Sequence, residues 1–76
     1  MKIIVYGTEF CPDCKRAKDF LEENEIKFEY IDVGKDKKAA KDLIEKTGQR
    51  KVPVIEIDDE MIIGFNAEKI LKKLNL

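Results

Sequence analysis

Apolar residues along this chain alternate between continuous runs and helically spaced sets, and each change of period marks a change of element. Lys2 to Tyr6 is nearly all apolar, as expected of a central strand covered on both faces. From Pro12 to about Asn24 the positions Cys14, Ala17 and Leu21, with Phe20 beside them, fall at helical spacing, and Pro12 suits the first helical position. Lys27 to Val33 is rich in aromatic and β-branched residues and predicts a second strand. Asp36 then caps a helix running through Thr47, with Ala39, Ala40, Leu43 and Ile44 turned inward and Gly48 as its stop. Val52 to Asp58 and Glu60 to Gly64 predict two strands with almost nothing between them, hence an antiparallel hairpin around Asp58 and Asp59. A last helix follows, capped by Asn66 and stapled by Phe65 packing on Ile70. Ile70, Leu71 and Leu74 form its inward face, and Lys72 and Lys73 sit near the negative end of its dipole.

The resulting order, β-α-β-α-β-β-α, predicts an α/β chain with a four-stranded mixed sheet and three helices. A parallel half with a right-handed crossover is completed by an antiparallel half, and the order resembles a minimal thioredoxin-like fold. At 76 residues and 43% hydrophobic content, residues 1–76 are expected to form one domain, and a chain this short buries only about 60% of its unfolded surface. The charged fraction is 41% but the net charge is -1, so no single-sign field points to nucleic acid or an anionic membrane. The evenly charged surface favours a monomer. The apolar run at the N-terminus breaks at Gly7, too early for a secretory or membrane-spanning segment, so the expected location is cytoplasmic. The lysines Lys35, Lys37, Lys38 and Lys41 read as the solvated face of the second helix.

The chemistry concentrates in Cys11, Pro12, Asp13 and Cys14. These are the only two cysteines, and they close too short a loop to staple a fold. Cys11 falls where the first strand hands over to a helix, beside unpaired backbone N–H groups and the positive end of the dipole, which stabilise a thiolate. Cys14 belongs to the inward stripe with Ala17 and Leu21, so it should be less exposed yet close enough for a disulfide. Cys11 is therefore the expected nucleophile and Cys14 the resolving thiol of a disulfide-exchange cycle. Asp13 places a carboxylate that opposes the thiolate, with Lys15 as a candidate to offset it.

Three other uses of such a pair compete. With no His and no third Cys, a mononuclear zinc site lacks ligands, and no metal site is expected. Four thiolates from two chains suffice for an iron–sulfur cluster, which makes a cluster-binding or delivery module the alternative from another class. The third reading is a pure interaction module. Redox chemistry is the leading one and needs no tightly bound cofactor.

The string from Val5 to Cys14, ending Phe10, Cys11, Pro12, Asp13, Cys14, resembles the active-site segment of glutaredoxins, which typically carry Cys-Pro-Tyr-Cys. Thr47 to Pro53 is similar to the glutaredoxin stretch ending in Thr-Val-Pro, and Ile63, Gly64, Phe65 fall where that family has its glycine turn. The resemblance spans essentially the whole chain. It implies that Pro53 is cis and that the Val52 backbone pairs with an extended substrate like an added strand. It also implies substrate contacts at Gln49, Arg50, Gly64 and Phe65, while Phe10, adjacent to Cys11, is a candidate aromatic contact. The substrates so implied are disulfide-containing proteins or small molecules, and the upstream reductant is glutathione or a thioredoxin-reductase-like enzyme.

Departures from the family pattern bear on that donor. Thr8 stands where glutathione-binding members often carry lysine, Lys51 replaces the usual threonine before Val-Pro, Phe65 takes the second glycine position, and Ala67 falls where an acidic or hydroxyl residue is common. Glu68 is only an imperfect substitute for the last. The Gly64 and Phe65 pair is also similar to the redoxins that feed ribonucleotide reductase and are themselves reduced by thioredoxin reductase.

Overall fold

The computed structural model describes residues 2–75. Its elements run β1 (Ile3–Gly7), α1 (Pro12–Glu23), β2 (Glu29–Asp32), α2 (Lys37–Thr47), β3 (Val54–Ile57), β4 (Glu60–Ile63) and α3 (Ala67–Leu74). The strands form one sheet in the order β2-β1-β3-β4. β1 pairs parallel with β2, and antiparallel pairing joins β1 to β3 and β3 to β4. β1 is thus a central strand, and all five of its residues are buried, which is why its sequence is a continuous apolar run.

The strand period of two divides the core between the two faces of the sheet. Ile3, Val5, Ile55, Ile57 and Ile62 face Ala17 and Leu21 of α1 and Ile70 of α3. Ile4, Tyr6 and Val54 face Leu43 of α2. Glu56 lies in the same β3 alternation as Val54, and its largely covered carboxylate is met by Lys46 at 3.6 Å. Full burial of a residue such as Leu21 or Ile70 contributes about 1.5–3 kcal/mol.

The helix boundaries follow from local chemistry. The Asp36 carboxylate accepts from the Ala39 N–H at 3.0 Å, and Asn66 accepts from the Lys69 N–H at 3.1 Å, each satisfying a donor that the first helical turn leaves unpaired. Gly48 closes α2 in the left-handed region, at φ 72°.

Three expectations need correction. The second strand is shorter than Lys27 to Val33, because only Glu29–Asp32 pairs with β1. The third begins at Val54 rather than Val52, since Pro53 has no N–H for a ladder. On α2 only Leu43 is buried; Ala39, Ala40 and Ile44 are half-covered, because one helix alone lies on that face of a small sheet.

Candidate functional site

Cys11 is the N-cap of α1. Its backbone is extended, at φ -104° and ψ 109°, and its Sγ accepts the Cys14 N–H at 3.2 Å. Sulfur occupies the role that a Ser or Asp oxygen plays at most helix starts, so an N–H dipole is aimed at this atom whenever it carries charge. Pro12, at the first helical position, fixes the turn without wasting a donor. On its other side the Cys11 thiol donates to the Val52 carbonyl at 3.8 Å. The Val52–Pro53 peptide is cis, and the Pro53 carbonyl accepts the Gly64 N–H at 2.8 Å. Gly64 holds φ 84°, a conformation that favours glycine, so the turn after β4 is tied to the loop before β3.

The two sulfurs differ sharply in environment. Cys11 is partly open, whereas Cys14 is fully buried. Burial, reinforced by the hydrogen bond and charge of Cys11, pushes the Cys14 thiol up to about 12, against the opposing pull of a Thr8 backbone hydrogen bond. Cys14 is accordingly a neutral thiol at neutral pH, and only Cys11 presents sulfur to solvent. A disulfide reaching this surface meets Cys11 first, with Cys14 three residues along the helix behind it.

Several expected contacts are displaced. Asp13 pairs at 3.2 Å with Arg16, one turn along α1, and not with Lys15; both partners are exposed, so the pair contributes little. Phe65 is half-buried: its ring lies edge-on to Phe20 at 5.7 Å between centroids, packed against the cluster that holds Ile70. Gln49 and Arg50 are exposed on the loop after α2, and Arg50 lines a cleft with Val33, Leu43 and Val52 on the α2 side rather than one that includes Cys11. Phe10 is 92% exposed, next to Cys11 and held by no core contact.

Two residues gain a role that their sequence positions do not announce. At Gly7 an added Cβ would stand 2.6 Å from the Tyr30 hydroxyl and 2.8 Å from Cys14 Sγ, so the missing side chain lets both pack against β1. The Tyr30 hydroxyl donates to the Thr8 carbonyl at 3.2 Å, and Lys18 lies over the Tyr30 ring at 4.9 Å from its centroid. Burial, with the neighbouring Cys14 next, pushes the Tyr30 hydroxyl up, so it stays a neutral donor. The only sequence signal for this wall is an aromatic residue on β2 beside the strand that leads into the cysteines. Among the described residues no group of three or more His, Cys, Asp and Glu side chains is arranged to hold a metal ion, and no helix is long and apolar enough to cross a membrane.

Known proteins resemble this chain in sequence and fold. The glutaredoxin family model matches residues 3–62. A glutaredoxin-like 8.6 kDa protein from a rubredoxin operon of Clostridium pasteurianum is 39% identical over 70 residues, covering 92% of this chain and 93% of that protein. The crystal structure of a glutaredoxin from Archaeoglobus fulgidus superposes with a TM-score of 0.88 at 31% identity, over 96% of this chain and 85% of that one. The Escherichia coli NrdH-redoxin, a glutaredoxin-like protein described as having a thioredoxin-like activity profile, gives 0.86 at 30% identity, over 95% and 93%. With the sheet order, the cysteine pair at the head of α1 and the family match all agreeing, the chain belongs to the glutaredoxin family and is a thiol–disulfide oxidoreductase with a thioredoxin-like fold.

Proposed function

We propose that the protein reduces protein or small-molecule disulfides through a two-cysteine cycle in which Cys11 attacks and Cys14 resolves. The observation that carries this reading is the asymmetry of the pair: Cys11 Sγ is partly open and receives the Cys14 N–H at 3.2 Å, while Cys14 is fully buried as a thiol. The Cys11 sulfur forms a bond to one substrate sulfur and the other leaves as a thiolate. Cys14 then gives up its proton and attacks Cys11 Sγ, releasing the second thiol and leaving a Cys11–Cys14 disulfide. The Val52 backbone, beside Cys11 through its carbonyl at 3.8 Å, offers an edge along which extended substrate can lie. Phe10 supplies exposed apolar surface at the same rim.

Electrons return to the disulfide from glutathione or from a thioredoxin-reductase-like enzyme, in the cytoplasm. The replacement of the usual glutathione contacts by Thr8, Lys51 and Ala67 favours the second donor, in line with the profile described for the E. coli NrdH-redoxin. The test is NADPH consumption with a small disulfide substrate, supplied in parallel with glutathione plus glutathione reductase or with thioredoxin reductase. Turnover with thioredoxin reductase and its loss in Cys11→Ser are expected. Full activity of Cys11→Ser would refute the mechanism, and turnover only with glutathione would reverse the assignment of the donor.

A further inference from the structure

The two flanks of Cys11 are unlike. In the sheet order β2-β1-β3-β4, the Val52–Pro53 loop belongs to the β3 side of β1, and a second opening lies on the β2 side. That opening is a cleft of about 250 Å³ lined by Thr8, Glu9, Cys11, Lys15, Lys18 and Tyr30. Its one carboxylate, Glu9, is engaged by Lys35 across the rim. Neither Lys15 nor Lys18 has a carboxylate partner among the described residues; Lys18 lies over the Tyr30 ring instead. A pocket containing the attacking sulfur therefore carries two ammonium groups uncompensated at close range.

We infer that this cleft is a leaving-group site for small anionic thiols, so that the protein prefers low-molecular-weight disulfides whose departing half carries a carboxylate or sulfonate. The inference rests on the disulfide-reductase reading above and names a substrate class for the same site. In the first step Cys11 Sγ bonds to the nearer substrate sulfur, the substrate S–S bond breaks, and the farther sulfur leaves with the bonding pair as a thiolate that takes a proton from solvent. A leaving half that already bears an anion becomes doubly negative at that moment, and Lys15 and Lys18 are the charges that face it. The second step releases the other half as a thiol when Cys14 gives up its proton and closes the Cys11–Cys14 bond. Two electrons and two protons thus pass from the dithiol to the substrate. Size agrees with the class: at about 250 Å³ the cleft is close to the roughly 300 Å³ at which sites for drug-sized ligands begin, room for the departing half of a low-molecular-weight disulfide.

The experiment is single-turnover oxidation of the pre-reduced protein by three disulfides of similar size: dithiodiglycolate (anionic), bis(2-hydroxyethyl) disulfide (neutral) and cystamine (cationic). Each rate is divided by that of the same disulfide with dithiothreitol, a neutral dithiol. The wild-type ratio of anionic to neutral should exceed unity by about 5-fold, with cystamine slower than both, for two partly exposed charges acting at close range. The preference should shrink at about 0.5 M salt. Because each ratio is read within one protein, any change in the intrinsic reactivity of Cys11 cancels. In Lys15→Gln/Lys18→Gln the ratio should fall to near unity, while Lys37→Gln/Lys41→Gln, which removes the same charge from α2, should retain it. Absence of a preference in the wild type, its persistence without Lys15 and Lys18, or its equal loss in the α2 variant would each overturn the inference. Reduction of none of the three disulfides would overturn the oxidoreductase reading beneath it.

Discussion

The burial of Cys14 makes a quantitative prediction about the second chemical step. A thiol held near 12 is thiolate in only about one molecule in a hundred thousand at pH 7, against about one in thirty for a free cysteine. Two of the raising causes, the hydrogen bond with Cys11 and its charge, disappear once Cys11 is tied up in a mixed disulfide, while the leading cause, burial, remains. The operative value in that intermediate therefore drops below 12 but stays above that of a free cysteine. Because the reactive form is the deprotonated one and the shift is upward, the rate of resolution should climb about tenfold per pH unit from neutrality past pH 9, without levelling at the ordinary cysteine value. Resolution is expected to outpace attack by external thiols, because the target sulfur is held one helical turn away, and effective molarities of roughly 10⁵ M or more exceed a thiolate deficit of at most about 3,000-fold relative to a free cysteine. The assay is rapid mixing of the reduced protein with a chromogenic aryl disulfide. A first burst of aryl thiol reports attack by Cys11, and a second, absent in Cys14→Ser, reports resolution. A second phase that levels off below about pH 9 would refute the claim that burial governs Cys14.

Two further predictions concern the fabric of the site. Gly7→Ala would force a Cβ to within 3 Å of Tyr30, Cys14 Sγ and Cys14 Cβ, and should cost about 1–3 kcal/mol, lowering the melting temperature by roughly 5–20 °C in a chain of this size. In a Tyr30→Phe background, which removes the nearest atom, part of that cost should be recovered; a cost below about 0.5 kcal/mol in the parent would show that the approach is not tight. Phe65→Ala and Phe10→Ala should separate in urea unfolding, the first losing about 2–3 kcal/mol with the Phe20 contact and the second staying within about 0.5 kcal/mol. Equal losses would contradict the assignment of Phe65 to the core and Phe10 to the surface.

Much of this molecule is legible in its residues because local signals and burial agree. The β1 run, the caps at Asp36 and Asn66, the stop at Gly48 and the turn at Asp58 and Asp59 each state in sequence what the backbone does. Pro12 and the Cys11 N-cap locate the head of α1, and the helical spacing of Cys14 with Ala17 and Leu21 foretells which sulfur is buried. The errors arise where tertiary geometry overrides local pattern. Phe65 satisfies the sequence rule for a staple and does pack against the cluster holding Ile70, but its edge-on contact with Phe20, 45 positions earlier, has no local signal. Ala39, Ala40 and Ile44 follow the same period as Leu43, yet the sheet beneath α2 is too small to cover them all.

The Lys15–Lys18 cleft was the least legible feature, for a physical reason. In sequence both lysines belong to the solvated side of an amphipathic helix, where lysine is ordinary. What distinguishes them is parallel pairing of β1 with β2, which brings Tyr30 alongside Gly7 and makes a wall opposite the first turns of α1. The absent side chain at Gly7 is what allows that wall to stand so close, and the Tyr30 hydroxyl, anchored on the Thr8 carbonyl, holds it there. Two ordinary surface charges thereby become the lining of a cavity that contains Cys11. On the proposed reading, substrate choice depends on how one glycine lets a neighbouring strand approach the cysteines, and not on the cysteine motif alone.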